Sequence, residues 1–349
     1  MKKILFLGFV FTCVFANAQK NSYKVSIIGF YNLENLYDTL DDPKTNDEEF
    51  TPAGQRNYTS SIYWNKIDKL ASVIVKMGTD EGIKWADGIS VLGVAEIENK
   101  SVLEDLVKHE SLKNRNYQIV HYNSKDIRGV DVAFLYNPKY FTVEESAPLY
   151  VKLPGGSKDS YFTRDVLWVK GKLDGETVHL YVNHWPSRLG GEERSAPGRA
   201  AAALVCKQHM DSIIAVDGNQ KFVIMGDLND DPTSASLTKV LKTKDKIEDV
   251  KEGGLYNPWV DFYKNGYGTL AYQDAWGLFD QIVISNKWLD KKQEGFFYYK
   301  PYIFNREFMT ENVGRYKGYP MRTWDGLLYR GGYSDHFPTY IVMVKKVIN

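Results

Sequence analysis

Cysteine is nearly absent: there are 2 in 349 residues, Cys13 and Cys206. Cys13 lies in an N-terminal segment expected to be removed, which leaves Cys206 as the single thiol and excludes an intramolecular disulfide. Cys206 ends the helix-forming run Ala200-Ala201-Ala202-Ala203-Leu204-Val205-Cys206, with no neighbour to generate a thiolate. It reads as a small buried hydrophobe, not a nucleophile. Zinc spacing is missing too, since the 6 histidines are scattered without His-x-x-x-His or Cys-x-x-Cys. Nor is there an excess of positive charge: 44 Lys and Arg face 44 Asp and Glu, or 42 against 44 once Lys2 and Lys3 are removed, a net of about −2. That excludes the basic footprint of a tight, nonspecific DNA binder. It leaves a nuclease open, because a bound cation can supply positive charge at a phosphate. Past residue 18, no stretch approaches the ~18 apolar residues that a membrane span requires. Repeats, low-complexity tracts and linkers rich in Gly, Pro or Ser are also lacking.

What the N-terminus does have is Lys2 and Lys3, an apolar run over residues 4–15, and Ala16-Asn17-Ala18. This order of basic, apolar and small-residue segments predicts a secretory signal peptide over residues 1–18, with Gln19 first in the mature chain. Phe11-Thr12-Cys13 is a poor lipidation site. The expected product is exported, to the periplasm or the extracellular medium, and acts as a monomer. Residues 19–349 are expected to form one domain, whose 43% apolar content suffices for a large core without staples.

Apolar patterning predicts strands at 24–30, 89–95, 117–121, 130–136, 140–144, 148–152, 164–172, 177–183, 221–225, 280–284 and 338–345. Helices are expected from Trp64, over 101–108 and over 196–215. Many strands and few helices suggest an α/β fold in which two sheets pack face to face with helices outside.

The densest chemistry lies in Ile224-Met225-Gly226-Asp227-Leu228-Asn229-Asp230-Asp231-Pro232. A short apolar strand runs into it, and Asp231-Pro232 marks a turn, after which Thr233 or Ser234 can cap a helix through Leu241. Two readings fit this stretch alone. One is an Asx-rich turn holding itself together. The other puts Asp227 and Asn229 on one side of an extended strand end, where a carboxylate polarises water and a carboxamide donates to a charged oxygen.

The stretch resembles the Gly-Asp-Phe-Asn-x-x-Pro signature of the endonuclease/exonuclease/phosphatase superfamily, which includes deoxyribonuclease I and the abasic-site endonucleases. Further segments are similar to that family's motifs in the same order. Phe30-Tyr31-Asn32-Leu33-Glu34-Asn35 resembles the first, implying that Asn32 helps to hold metal and phosphate. Glu96 follows a fully apolar strand, a position suited to a hard cation, and resembles the principal metal ligand. Tyr181-Val182-Asn183-His184-Trp185-Pro186-Ser187-Arg188 implies that His184 bonds the scissile phosphate, although its form departs from that of deoxyribonuclease I. Phe279-Asp280-Gln281 supplies the Asp that pairs with a C-terminal His, and Ser334-Asp335-His336-Phe337-Pro338 supplies that His with Asp335 as a second metal-side carboxylate. Asp280 on one imidazole nitrogen would fix the tautomer of His336 and leave the other for substrate.

The resemblance implies a four-layer α/β/β/α sandwich of two mixed sheets flanked by helices, with residues 19–349 as the catalytic domain. It implies an oxygen-rich site for Mg²⁺ or Mn²⁺ at Glu96, Asp335 and Asn32, and a catalytic set of Asp227, Asn229, His184, His336 and Asp280. Arg188, Arg194 and Arg199 could together grip a phosphodiester. Arg128 and Asp131 read either as substrate-facing groups or as a strand-edge ion pair. Aromatics at 296–304, with Arg306, Arg315, Lys317, Arg322 and Arg330 nearby, either cover core or stack bases.

The expected activity is metal-dependent phosphodiester hydrolysis, most simply of extracellular DNA or RNA. Hydrolysis of a phospholipid or a sugar or inositol phosphate is the second enzymatic reading. A noncatalytic binding protein on the same scaffold is the third, and it requires loss of a key residue, of which none is missing.

Overall fold

The three-dimensional description rests on a computed structural model and covers residues 22–79, 85–155 and 162–347. The expected signal peptide, residues 1–18, lies outside the described residues. In chain order the strands begin with β1 (Ser22–Leu36), β2 (Val91–Ile97), β3 (Gln118–His121), β4 (Asp131–Tyr136), β5 (Phe141–Leu149), β6 (Val166–Leu173), β7 (Glu176–His184) and β8 (Lys221–Asp227). They continue with β9 (Leu255–Tyr256), β10 (Leu270–Tyr272), β11 (Ala275–Gly277), β12 (Asp280–Ser285), β13 (Phe297–Ile303), β14 (Trp324–Asp325), β15 (Leu328–Tyr329) and β16 (Thr339–Val347). The helices are α1 (Ser60–Ile74), α2 (Lys100–Lys108), α3 (Glu192–Val216) and α4 (Val260–Lys264).

Two six-stranded sheets form, in the orders β13-β16-β1-β2-β4-β3 and β5-β6-β7-β8-β12-β9. Both are mixed, because β1 runs parallel to β2 and β7 parallel to β8 while their other neighbours are antiparallel. The central strands read as unbroken apolar runs because both of their faces are covered. In β8, Val223 and Met225 join the core shared with the first sheet, whereas Phe222 and Ile224 join a second core with Ala202, Ala203, Cys206 and Met210 of α3. The same period of two splits Leu180 and Val182 from Tyr181 in β7, and Ile282 and Ile284 from Val283 in β12. Ile67, Leu70, Ala71 and Ile74 of α1 and Val102, Leu103 and Leu106 of α2 belong to the first core. The expected α/β sandwich of two mixed sheets with helices is what the chain forms.

Local departures have local causes. Helix α3 starts at Glu192, earlier than the expected 196, directly after Gly190 and Gly191, whose positive φ angles of 79° and 109° turn the chain. The strands expected at 140–144 and 148–152 are largely one strand, β5, kept continuous across a register shift between Val143 and Glu145. The helix expected after Pro232 is a π-helical segment, Ser236–Leu241, without a side-chain cap. Of the two readings of the aromatic run, the core-covering one holds over β13, which pairs with β16 at the sheet edge.

The sheets approach each other closely at Gly93 of β2, where an added Cβ would lie 2.7 Å from Sδ of Met225 and 3.0 Å from Cγ1 of Val182. Gly93→Val should therefore destabilise the protein by about 1–3 kcal/mol through overpacking. A thermal denaturation midpoint equal to that of the wild type would show that the sheets do not meet as described.

Candidate active site

Parallel pairing of neighbouring strands brings their carboxyl ends to one rim. In the register of β7 and β8, His184 lies beside Asp227, and the antiparallel β12 sets Asp280 on the other side of Asp227. In the opposing sheet Asn32 of β1 pairs with Ala95 of β2, next to Glu96. Glu96 occupies a bulge with φ of 59°, and Glu34, Asn35 and Asn229 also have positive φ angles. Bulges and left-handed residues re-aim side chains where a ladder ends, and strain of this kind gathers at functional sites.

Asp227 Oδ2 is the hub. It accepts a hydrogen bond from Asn32 Nδ2 at 3.0 Å and lies 3.6 Å from His184 Nε2 and 3.9 Å from His336 Nε2. Asn32 Nδ2 also donates to Glu96 Oε1 at 3.2 Å, and His184 Nε2 is 3.6 Å from that same oxygen. His336 Nδ1 is 2.7 Å from Asp280 Oδ2. Ser334 ties its loop to β1 by donating from Oγ to the carbonyl of Asn32 at 2.8 Å, while the same Oγ accepts from the N–H of His336 at 3.1 Å.

Burial sets the protonation states. It pushes the carboxyl of Asp227 up to about 7, against the pull of His336 and with repulsion from Asp280 and Glu96 added. The same burial opposes charge on His336, but Asp280 and Asp227 overcome it and hold the imidazole well above its ordinary range. At His184, burial acts together with the cations Arg164 and Arg128 and with His336, so the ring is kept neutral.

Other expected site residues sit in settings of their own. Asn32 Oδ1 accepts the N–H of Glu34 at 2.9 Å, and its Nδ2 faces Glu96 and Asp227. Asn229 does not act through an extended strand end: its backbone turns left-handed, its N–H donates to Asp227 Oδ1 at 3.0 Å, and its Nδ2 donates to the carbonyl of Trp185 at 3.0 Å. Asp335 stands apart from the closest ligand cluster, 3.5 Å from Arg322 and 3.9 Å from His336 Nε2.

The arginines divide. Arg199 is fully buried against Asp230 at 2.6 Å, so it cannot touch a substrate. Arg188 is clamped by the carbonyl of Asn229, by Asp231 and by Glu192, and braces the turn after β8. Arg194 is exposed in the first turn of α3. Arg128 pairs with Asp126 at 3.3 Å and remains close enough to interact with Glu96. Asp131 faces away, holding His121 at 2.9 Å and the N–H of Ser124 at 2.8 Å.

Three buried groups were not singled out from sequence. Arg164 donates to the carbonyls of His184 and Trp185, at 3.1 and 2.7 Å, and to Asp126, so it fixes the end of β7. Lys66 is fully buried on α1 and donates to Thr323 Oγ1 at 2.7 Å, while Glu34 accepts from the N–H groups of Thr323 and Trp324. Burial and Asp335 push Glu34 up to about 7, with Lys66 pulling the other way. A lysine between Tyr63 and Leu70 on the apolar face of a helix was the available signal for Lys66.

Glu96, His184 and Asp227 offer ligand atoms that all lie within 4.8 Å of one another, a possible site for a divalent cation. The donor set fits one: two carboxylate oxygens suit a hard cation, and a neutral imidazole has a lone pair to give. Nδ1 of His184 and Oδ1 of Asp280 are buried without a hydrogen-bond partner, so the protein alone does not satisfy every polar atom of the site.

The family model described as "Endonuclease/Exonuclease/phosphatase family" matches residues 27–345. No curated protein matches the chain. Among solved structures, an endonuclease/exonuclease/phosphatase family protein from Bacteroides thetaiotaomicron is 16% identical, with a TM-score of 0.57 over 94% of this chain and 100% of that one. A mannosyl-6-phosphatase from the same organism is 16% identical, with a TM-score of 0.54 over 93% of this chain and 100% of that one. D. rerio TDP2 complexed with a single-strand DNA product is 13% identical, with a TM-score of 0.54 over 91% of this chain and 98% of that one. At such identities the likeness is one of fold.

Two measurements follow from this geometry. In protein treated with EDTA, NMR should find His336 titrating above the ordinary histidine range. Asp280→Asn should bring it down by roughly 1–3 pH units, because burial then acts with less opposition; an unchanged titration would dissolve the pair. Arg199→Ala should cost about 3–5 kcal/mol in denaturant unfolding by stranding Asp230, and a loss of activity without loss of stability would restore Arg199 to the substrate.

Proposed function

The chain belongs to the endonuclease/exonuclease/phosphatase family, and from that premise we propose that this phosphoesterase is an exported, Mg²⁺- or Mn²⁺-dependent nuclease acting on extracellular DNA or RNA. The observation that carries the reading is the meeting of Glu96, Asp227, His184 and the His336–Asp280 pair within one rim. Glu96, with His184 and Asp227 beside it, would hold the ion. When bound, a divalent cation supplies neutralisation of the phosphate's negative charge.

The chain's own residues account for the rest. Asp227, its Oδ1 pinned by the N–H of Asn229, orients a water and takes up its proton. His336, charged and steadied by Asp280, donates from Nε2 to a phosphoryl oxygen as charge accumulates there. Asn32 Nδ2 keeps Glu96 and Asp227 in register. Arg128 is half-exposed next to Asp126 and reaches toward the same negative charge. No covalent intermediate is required.

A second substrate class, a sugar phosphate, is favoured by a cleft of small-ligand size beside Asp335 and by the near balance of charge, 44 basic against 44 acidic residues. The lysines and the apolar run before Ala18 support export, and comparing culture medium with periplasmic and cytoplasmic fractions tests it.

Purified protein should be incubated with plasmid DNA, RNA, bis-p-nitrophenyl phosphate, mannose 6-phosphate and sphingomyelin, with Mg²⁺, Mn²⁺ or EDTA. Cation-dependent cleavage of nucleic acid is expected. Inactivity on every substrate would favour a noncatalytic binding role. Glu96→Ala, Asp227→Ala and His336→Ala should each lower turnover by at least ~100-fold with the circular dichroism spectrum unchanged. Near-wild-type rates in these variants would put the chemistry elsewhere.

A further inference from the structure

Beyond Asp335 the rim opens into a cleft of about 420 Å³, whose walls include Tyr272, Arg315, Tyr316, Tyr319, Arg322 and Arg330. One wall is the hairpin of β10 and β11. The other comes from the segment between β13 and β16. That second wall is anchored in the fold: Glu34 accepts from the N–H of Thr323 at 2.7 Å and of Trp324 at 3.2 Å, and Lys66 donates to Thr323. Arg56 adds a bond to the carbonyl of Gly326 at 2.6 Å and lies over the ring of Trp324. The same Glu34 belongs to the strand that carries Asn32, so cleft and rim are positioned by one element.

The lining combines tyrosine rings with charges of both signs, Arg315, Arg322 and Arg330 beside Glu311, Asp325 and Asp335. Tyr272 and Tyr316 are 72% and 48% exposed, which leaves ring surface to stack against a flat partner. Arg315, Arg322 and Arg330 pair with Asp274, Asp335 and Glu311 at 3.4 to 3.5 Å, the outer limit of a hydrogen bond, so an incoming anion displaces little. A space of this size admits one small ligand and is too small for a length of duplex.

We propose that this cleft is the specificity subsite of the phosphoesterase, and that it receives the single ring-bearing unit, a nucleoside or a hexose, esterified to the phosphate under attack. The inference rests on the phosphoesterase reading and sharpens it: hydrolysis takes place at the last unit of a strand or on a small ester, with the ring on Tyr272 and Tyr316 and surplus negative charge on the arginines.

Isothermal titration of the full mature chain in Mg²⁺ with thymidine 5′-monophosphate, mannose 6-phosphate and inorganic phosphate tests it. At least one ring phosphate should bind about tenfold more tightly than inorganic phosphate, the worth of one stacked ring. In the double variant Tyr272→Ala, Tyr316→Ala that ratio should fall to about one. Which of the two ligands is preferred identifies the ring as base or sugar. The proposal is overturned if neither binds better than inorganic phosphate, or if the preference survives in the double variant. A wild-type protein that shows the preference yet hydrolyses no phosphoester would overturn the catalytic reading and leave the subsite standing.

Discussion

An imidazolium held among buried carboxylates is the interaction on which the site depends. His336 keeps its proton because Asp280 and Asp227 outweigh the cost of burial, while Asp227 stays near neutrality because burial and its acidic neighbours outweigh His336. Remove either partner and the other becomes an uncompensated charge in a water-poor setting. Hydrogen bonds brace these groups: Asn32 spans Glu96 and Asp227, Asn229 pins one oxygen of Asp227, and Ser334 ties the His336 loop to β1.

Sheet geometry makes that pairing possible. Each sheet contributes a parallel pair, so the ends of β1 and β2 meet those of β7 and β8 at one rim, and Gly93 leaves room for Met225 and Val182 of the opposing sheet to pack against the β2 backbone. The side chains are then aimed by irregularity, not by regular strand. Glu96 sits in a bulge, and Glu34, Asn35 and Asn229 take left-handed backbone where the ladders end. Such residues carry strain that is tolerated because the cores on either side of the second sheet hold the strands fast.

The rim and the cleft also differ in kind. The rim is assembled where β1, β2, β7, β8 and β12 converge, whereas the cleft wall is the segment between β13 and β16 that Glu34 and Lys66 tie to the scaffold. Relatives with the same fold include a mannosyl-6-phosphatase and a TDP2 complexed with a single-strand DNA product, so the fold alone does not choose a substrate. In the proposed subsite, choice lies with the groups lining the cleft.

Much of the architecture was legible in the residues. Apolar runs such as 221–225 declared strands buried on both faces, and the motifs around Asn32, Glu96, His184, Asp227, Asp280 and His336 named side chains that the structure brings together at one rim. Sequence alone could not say that Arg199 is sealed against Asp230, that Asn32 turns its oxygen inward, that His184 joins Glu96 and Asp227 while Asp335 stands off, or that Lys66 and Glu34 share a buried network. Those outcomes depend on which groups meet across hundreds of residues, and on how much water is left between them. Periodicity and motif order are local properties of a chain and survive in its sequence, whereas the partner of a buried charge is chosen only when distant strands close over it.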